Sequence, residues 1–336
     1  MRDVARLAGV SVGTVSAVIN DKSGVSARLS QRVQEAMAAL DYHPNQVARS
    51  LKVRQTHTVG MVIPDATNPF FADVMQGVED EASREGYSII FCNTKEDRNL
   101  ERRNLSMLFS RRVDGVLLAP ADSHAAEDRL TQQRFPIVFF DRIPLRFSGS
   151  AVVTDNFGGA YQASRHLINL GHERIAIIAG RLDMTNGLDR LEGFRKALQE
   201  AHLALRDEYL QKGDFQLESG YRCGIALLRL PQPPTAIFCC SNKMTLGLMR
   251  ALGELRIPCP ERVSVLGFDD FEWAASFSPR LTTVAQPTHE MGKKAMAMLL
   301  GKMQHKKPEN GSCSDEVVIL KTELRVRDST ARPFQG

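Results

Sequence analysis

Polar and aromatic side chains that directly follow short apolar runs are where this chain can do chemistry. Asn68, Phe70 and Phe71 come after Val59–Ile63, Asp141 and Arg142 after Ile137–Phe140, Asn242 after Ala236–Cys239, and Asp269 after Val263–Leu266. Carboxylates and amides exchange hydrogen bonds with hydroxyls, guanidinium groups add forked donors, and an aromatic face stacks on a carbon skeleton. Such a mixture suits a polyhydroxylated molecule. Asparagine and aspartate at strand ends also cap the next helix, and Arg142 can pair with Asp141 at a surface, so a purely structural role stands beside the binding one. The sequence has no phosphate-cradling glycine-rich loop or metal-spaced His/Glu pair, and its Gly9-Val10-Ser11-Val12-Gly13 string falls between two short helices rather than on the strand-to-helix turn of a nucleophile elbow. That points to binding rather than catalysis and calls for no cofactor and no metal.

A second concentration of chemistry lies near the amino terminus. Arg49, Lys52 and Arg54 surround Leu51, and Gln46–Lys52 reads as one or two helical turns. A helix that short does not hold alone, and its basic residues make a polyanion the partner expected to order it. Leu51 reads either as an ordinary exposed leucine or as a wedge for the minor groove. Pro44 ends the preceding helix and Asn45 can cap this one. Further upstream, Asp3–Ala8 and Ser11–Ile19 read as two short helices around Gly9-Val10, with Val4, Leu7 and Ala8, then Val15, Val18 and Ile19, at helical spacing. Ser11 can cap the second helix, and Gly9 permits a left-handed corner. A third amphipathic helix over roughly 27–40 offers Leu29, Val33, Met37 and Leu40 to a three-helix core. This is a helix-turn-helix.

Beyond residue 56 the chain alternates β-branched apolar runs with amphipathic stretches. Val59–Ile63, Ser88–Phe91, Val116–Leu118 and Ile137–Phe140 form one series; Ile175–Ile178, Ala236–Cys239 and Val263–Leu266 form a second, with helical segments such as 187–201 between. The pattern is that of parallel sheets in an α/β fold, and two series imply two lobes. Ligands of such sheets bind beyond the carboxyl ends of the strands, so the natural pocket is the cleft between the lobes.

Charge separates the same regions. Residues 1–55 hold 8 Lys and Arg against 4 Asp and Glu, so their net charge equals the +4 of all 336 residues and the remainder is neutral. Affinity for nucleic acid therefore belongs to the amino-terminal part. Cys92, Cys223, Cys239, Cys240, Cys259 and Cys313 show no metal-ligand spacing and several sit in apolar runs, as reduced core thiols do. The chain shows neither a signal peptide nor a long apolar span, and a cytoplasmic protein without a membrane partner is expected.

The chain resembles the lac and gal repressor (LacI/GalR) family of bacterial transcription regulators over essentially its whole length. The marks are Asp3–Asn20, Tyr42-His43-Pro44-Asn45 and Ala48–Leu51 at the amino terminus, then Asn68–Phe71, Val113–Gly115, Leu170–His172, Arg190–Phe194, Gly267–Asp270 and Leu281–Thr283. The resemblance implies an all-α helix-turn-helix headpiece over 1–44, a hinge helix and linker over 45–56, and a two-lobed effector-binding and dimerisation domain over 57–336. That last domain would resemble a periplasmic binding protein, with parallel sheets and helices on both faces. It implies a homodimer on palindromic double-stranded operator DNA, with the hinge Leu51 inserted between base pairs. Base contacts map to Val12, Gly13 and Ala17, and Thr14, Ser16, Asn20, Arg49 and Lys52 complete the expected DNA-facing set. Ala17 departs from the family, which commonly has Arg or His there; alanine cannot donate to guanine, so specificity shifts to methyl contacts, to Thr14 and Ser16, or to bending. The resemblance also places the first residue about three positions late, which would leave the first helix without its usual capping Thr.

For the effector, the family's contact positions fall on Asn68, Phe70, Phe71, Asp141, Arg142, Asn186, Arg190, Phe215, Asn242, Asp269 and Gln286. A monosaccharide or sugar acid is the expected ligand. In the purine-binding branch, which the chain resembles in Arg49–Val53 and Gly213-Asp214-Phe215, an aromatic stands in place of Arg142, so Arg142 points away from a purine. A purine-responsive corepressed regulator remains the alternative, followed by a sugar-binding protein without a DNA role. Asp270 and His172 are expected to be structural.

Overall fold

The computed structural model describes residues 1–19, 24–42, 55–123, 135–144, 149–304 and 316–334. The chain divides into two compact units, Met1–Thr56 and His57–Gly336.

The first unit contains α1 (Arg2–Ala8), α2 (Val12–Ile19) and α3 (Ala27–Ala39). Gly9 closes α1 in the left-handed conformation, φ 59°, and the Ser11 Oγ caps α2 by accepting from Thr14 N at 3.0 Å. Arg32 of α3 reaches back to the Ala8 carbonyl at 2.6 Å, answering one of the carbonyls that a helix end leaves unpaired. Met1 gives α1 no side-chain cap. The core differs from the helical-spacing forecast. Val4, Ala5, Ala8, Val15, Val33 and Ala36 are buried, whereas Leu7 and Leu40 are 56% and 44% exposed. Alanines at the contacts let short helices approach closely, and the two leucines are left on the rim.

In the second unit, one sheet holds β1 (Thr58–Ile63), β2 (Ser88–Asn93), β3 (Gly115–Leu118), β4 (Ile137–Phe140), β5 (Ser150–Thr154) and β11 (Val317–Leu320), in the order β11-β5-β4-β3-β1-β2. The other holds β6 (Ile175–Ala179), β7 (Leu210–Lys212), β8 (Ala236–Cys239), β9 (Ser264–Phe268), β10 (Thr282–Ala285) and β12 (Glu323–Arg325), in the order β12-β10-β9-β8-β6-β7. Pairing is parallel throughout except for β12, which runs antiparallel to β10. The forecast missed β5, β7, β10, β11 and β12. β7 and β12 are edge strands of three residues, β11 is largely exposed, and the threonines of β10 dilute its apolar signal.

The chain crosses between the sheets after β5, again after β10, and once more between β11 and β12. Helices α4 (Pro69–Arg84) and α11 (Thr288–Gln304) pack on one face of the first sheet with Val59, Met61 and Val138. α5 (Arg98–Ser110) covers the other, with Leu105 and Leu108 against Val62 and Val116. On the second sheet, α6 (Asn156–Asn169) pairs with α7 (Thr185–Glu200), and α8 (Leu217–Leu228) pairs with α9 (Asn242–Leu255). The short α10 (Glu272–Ser276) follows β9.

α4 and α11 meet backbone to backbone. A Cβ on Gly77 would lie 2.1 Å from the His289 carbonyl oxygen, and one on Gly292 would lie 2.0 Å from that of Val74. Backbone cannot move aside as a flexible side chain does, so a methyl there forces the helices apart. Gly77→Ala is expected to lower unfolding stability by about 1–3 kcal/mol in urea denaturation of the full chain, the range typical of an overpacked core; an unchanged midpoint would contradict the contact.

Candidate functional site

The carboxyl ends of the two sheets face a polar cleft lined by Asp65, Asn68, Phe70, Phe71, Glu96, Asp141, Arg142, Asn186, Arg190, Phe215, Gln216, Ser241, Asp269 and Gln286. Ten of the eleven expected effector residues are in this wall. The eleventh, Asn242, starts α9 and donates through Nδ2 to Asn68 Oδ1 at 2.8 Å, joining the lobes at the rim of the cavity. Asp65 and Ser241 were missed although both stand just past strand ends, where the strand-end rule would have found them. Glu96 and Gln216 follow β2 and the unforecast β7, and carry no motif.

Backbone strain marks the same wall. Asp141, Phe215 and Asp269 adopt left-handed φ values of 65°, 67° and 77°. Aspartate tolerates this region, but phenylalanine rarely enters it, and such conformations persist where the surroundings enforce them. Gly180, at the end of β6, makes room for Phe215: a Cβ there would meet the ring at 2.0 Å. Phe70 and Phe71 form an edge-to-face pair with centroids 5.0 Å apart.

Arg190 is locked before any ligand arrives. Its Nε donates to Asn156 Oδ1 and its Nη1 to the Cys240 carbonyl, both at 2.8 Å, and its guanidinium lies 3.7 Å above the Phe268 ring. Asp269 accepts from the Asn242 backbone N–H at 3.2 Å and from Gln286 Nε2 at 2.5 Å. Gln286 in turn accepts from Thr154 Oγ1 at 2.6 Å, at the point where the chain crosses back to the first sheet. Asn186 bonds its neighbouring Gly187 N–H at 2.9 Å. The helix-capping alternative holds for Asn68, which accepts from Phe70 N at 3.0 Å at the start of α4, and it does not displace that residue from the cleft.

Arg142 is not a surface partner of Asp141. It is 2% exposed, its Nε lies 3.9 Å from Asp141, and its Nη2 donates to both oxygens of Glu96 at 2.9 and 3.0 Å. Other polar contacts cross between the lobes. Lys243 Nζ donates to Asp65 across the cleft and to Gln216 in its own lobe at 2.7 Å each, Arg181 Nη1 to Glu96 at 3.1 Å and to the Ala121 carbonyl at 2.8 Å, and the Ile143 N–H to Thr185 Oγ1 at 3.1 Å. The Nε and Nη2 of Arg181 are held within its own lobe by Asp183 at 3.1 and 2.6 Å. The space left between these side chains is about 40 Å³. That is room for a few water molecules at roughly 10–15 Å³ each.

Asp270 and His172 serve the fold. Asp270 holds Arg325, Arg327 and Thr283 at 2.6–2.9 Å. His172 bridges Thr235 Oγ1 and the Ala331 carbonyl at 2.9 and 2.8 Å, and burial lowers its pKa. Of the cysteines, Cys92, Cys223, Cys239 and Cys240 are buried free thiols and Cys259 is partly buried; Cys313 lies outside the described residues.

In the amino-terminal unit, Val12, Gly13, Ser16 and Ala17 share one face of α2 by their four-residue spacing, opposite the buried Val15. Val12 and Gly13 are exposed, and Thr14, Ser16 and Ala17 partly so. Thr14 also belongs to the cap, its Oγ1 lying 2.9 Å from Ser11 Oγ. Asn20, Arg49, Leu51 and Lys52 lie outside the described residues.

Residues 1–45 match the bacterial regulatory proteins of the lacI family, and residues 164–330 match the periplasmic binding protein-like domain. The ribose operon repressor of Escherichia coli K12 is 40% identical over 302 residues, 89% of this chain and 92% of that protein. The transcriptional repressor PurR of Histophilus somni is 37% identical over 331 residues, 98% of each. The chain belongs to the LacI family. Among solved structures, a lac repressor dimer bound to operator and the anti-inducer ONPF aligns with TM-score 0.87 at 27% identity, covering 98% of each chain. This LacI-family chain is therefore a DNA-binding transcriptional regulator, with a helix-turn-helix headpiece and a two-lobed effector-binding body. Among the described residues no helix is long and apolar enough to cross a membrane.

Burial pushes the Asp141 carboxyl up to about 6; Arg142 and Arg190 oppose the rise, and Asp269 and Glu96 add to it. The folded chain thus holds this proton more tightly than the unfolded chain, whose aspartates titrate near ~4. Asp141 should therefore make stability fall as pH rises from about 4 to 6, level above, by an amount on the order of 2–3 kcal/mol. Comparing chemical denaturation of wild type and Asp141→Asn across that window isolates the effect, and identical pH profiles would contradict it.

Proposed function

We propose that the cleft takes a neutral monosaccharide, and that its occupancy sets the affinity of a cytoplasmic homodimeric repressor for palindromic operator DNA. The distribution of charge in the wall carries the reading. Lys243 is paired with Asp65, Arg142 with Glu96, and Arg181 with Asp183 as well as Glu96. Asp141, Asp269 and Arg190 remain to meet a ligand, an excess of carboxylate that suits hydroxyl donors and opposes an acid. Phe70, Phe71 and Phe215 supply apolar faces for the carbon side of a ring. The 40% identity to a ribose operon repressor supports a sugar. The PurR relative keeps a purine as the competing ligand.

For DNA, the lac repressor dimer on operator supports a two-fold assembly that reads two half-sites. The exposed face of α2 enters the major groove, and Arg49, Leu51 and Lys52 form the hinge contact in the minor groove. The sugar acts by changing the lobe closure that these cross-lobe bonds define, and a coupling of about 1–3 kcal/mol changes operator occupancy 5–150-fold.

A thermal-shift panel of aldopentoses, aldohexoses, aldonic acids and purine bases tests the ligand. One neutral sugar should raise the melting temperature, with about 2.7 kcal/mol of added stability at a hundredfold excess over Kd. A shift produced by purines or aldonates, with none from neutral sugars, would sink the proposal.

A further inference from the structure

Glu96 occupies the cleft in a way that no strand-end motif announces. It stands in the turn after β2, where Lys95 and Glu96 are consecutive left-handed residues with φ of 51° and 58°. Non-glycine residues enter this region only where the surroundings hold them, and two in succession fix the direction of the side chain. The Glu96 N–H donates to the Pro64 carbonyl at 3.1 Å and the Asp97 N–H to that of Thr94 at 2.9 Å. Asp97 then caps α5. The turn is thus tied to β1 on one side and to a helix on the other.

So held, the carboxylate stands between guanidiniums from opposite lobes. Both oxygens accept from Arg142 Nη2, and Oε2 also accepts from Arg181 Nη1 at 3.1 Å. Arg142 Nε is buried without a hydrogen-bond partner. An unanswered donor on a 2% exposed guanidinium beside the cavity marks a place for a ligand oxygen.

We propose that Glu96 is a specificity-determining residue that makes the cleft reject anions, because it occupies Arg142 Nη2 and Arg181 Nη1, the donors that a ligand carboxylate or phosphate would claim. An anionic ligand must displace Glu96 or lie against it, with Asp141 and Asp269 already in the wall, and like charges brought together in a dry site repel strongly. A neutral sugar meets no such barrier: a hydroxyl can accept from Arg142 Nε and leave Glu96 in place. With Glu96 neutralised, Arg142 offers Nε and Nη2 as a forked donor to an anion and Arg181 adds only Nη1, since Asp183 keeps its Nε and Nη2. This inference rests on the neutral-sugar reading above.

The test is calorimetric titration of the full chain, wild type and Glu96→Gln, with D-ribose, D-glucose and the corresponding aldonates. Wild type should bind an aldose, and Glu96→Gln should bind an aldonate at least about tenfold more tightly than wild type does. Glu96→Ala, carrying the same charge change, answers the question if the glutamine variant melts without cooperativity. Adding Arg142→Gln should erase the gain. Equal aldonate affinity in wild type and both variants, or a gain that survives loss of Arg142, overturns the role of Glu96. Failure of wild type to bind any neutral aldose instead overturns the ligand reading on which it rests.

Discussion

A buried guanidinium must have its charge and its N–H donors answered, and the cleft is organised around that requirement. Removing one partner of a buried ion pair costs several kcal/mol, because the remaining charge is stranded away from water. Arg142 is answered by Glu96, Arg181 by Glu96 and Asp183, Lys243 by Asp65, and Arg190 by an amide, a carbonyl and an aromatic face. Because Arg181 and Lys243 belong to one lobe and Glu96 and Asp65 to the other, the same pairs that neutralise the site also hold it shut. Charge satisfaction and lobe closure are one structural event.

The topology makes that event available to a ligand. Three chain crossings join the sheets, and Gln286, at the second of them, links Thr154 to Asp269. A ligand that alters the hydrogen bonding of Asp269 therefore acts on a crossing segment itself. Each lobe can move as a body, because its interior is closed by helices packed at backbone contact, as Gly77 and Gly292 show.

Much of this was legible from residue order. The seven apolar runs all became strands, the strand-end rule led to Asn68, Asp141, Arg142 and Asp269, and the resemblance added Asn186, Arg190, Phe215 and Gln286 to the same wall. What escaped did so for physical reasons. β7 and β12 are three-residue edge strands whose pairing is decided by neighbours rather than by pattern. Leu7 and Leu40 have helical spacing yet point outward, since spacing gives a face but not the distance between helices. Glu96 belongs to no motif, and its importance depends on an Arg142 and an Arg181 that sequence leaves 46 and 85 positions away.

The central claim is that closure of the cleft and the grip on DNA share one free energy. Linkage then requires that a sugar change operator affinity by the factor with which operator changes sugar affinity. Fluorescence anisotropy of a labelled operator duplex, titrated with the full chain at fixed salt with and without saturating sugar, gives the first factor. Sugar titration of free and DNA-bound protein gives the second. The account predicts equal factors between about 5 and 150; operator affinity that does not respond to a sugar bound in the cleft would contradict it.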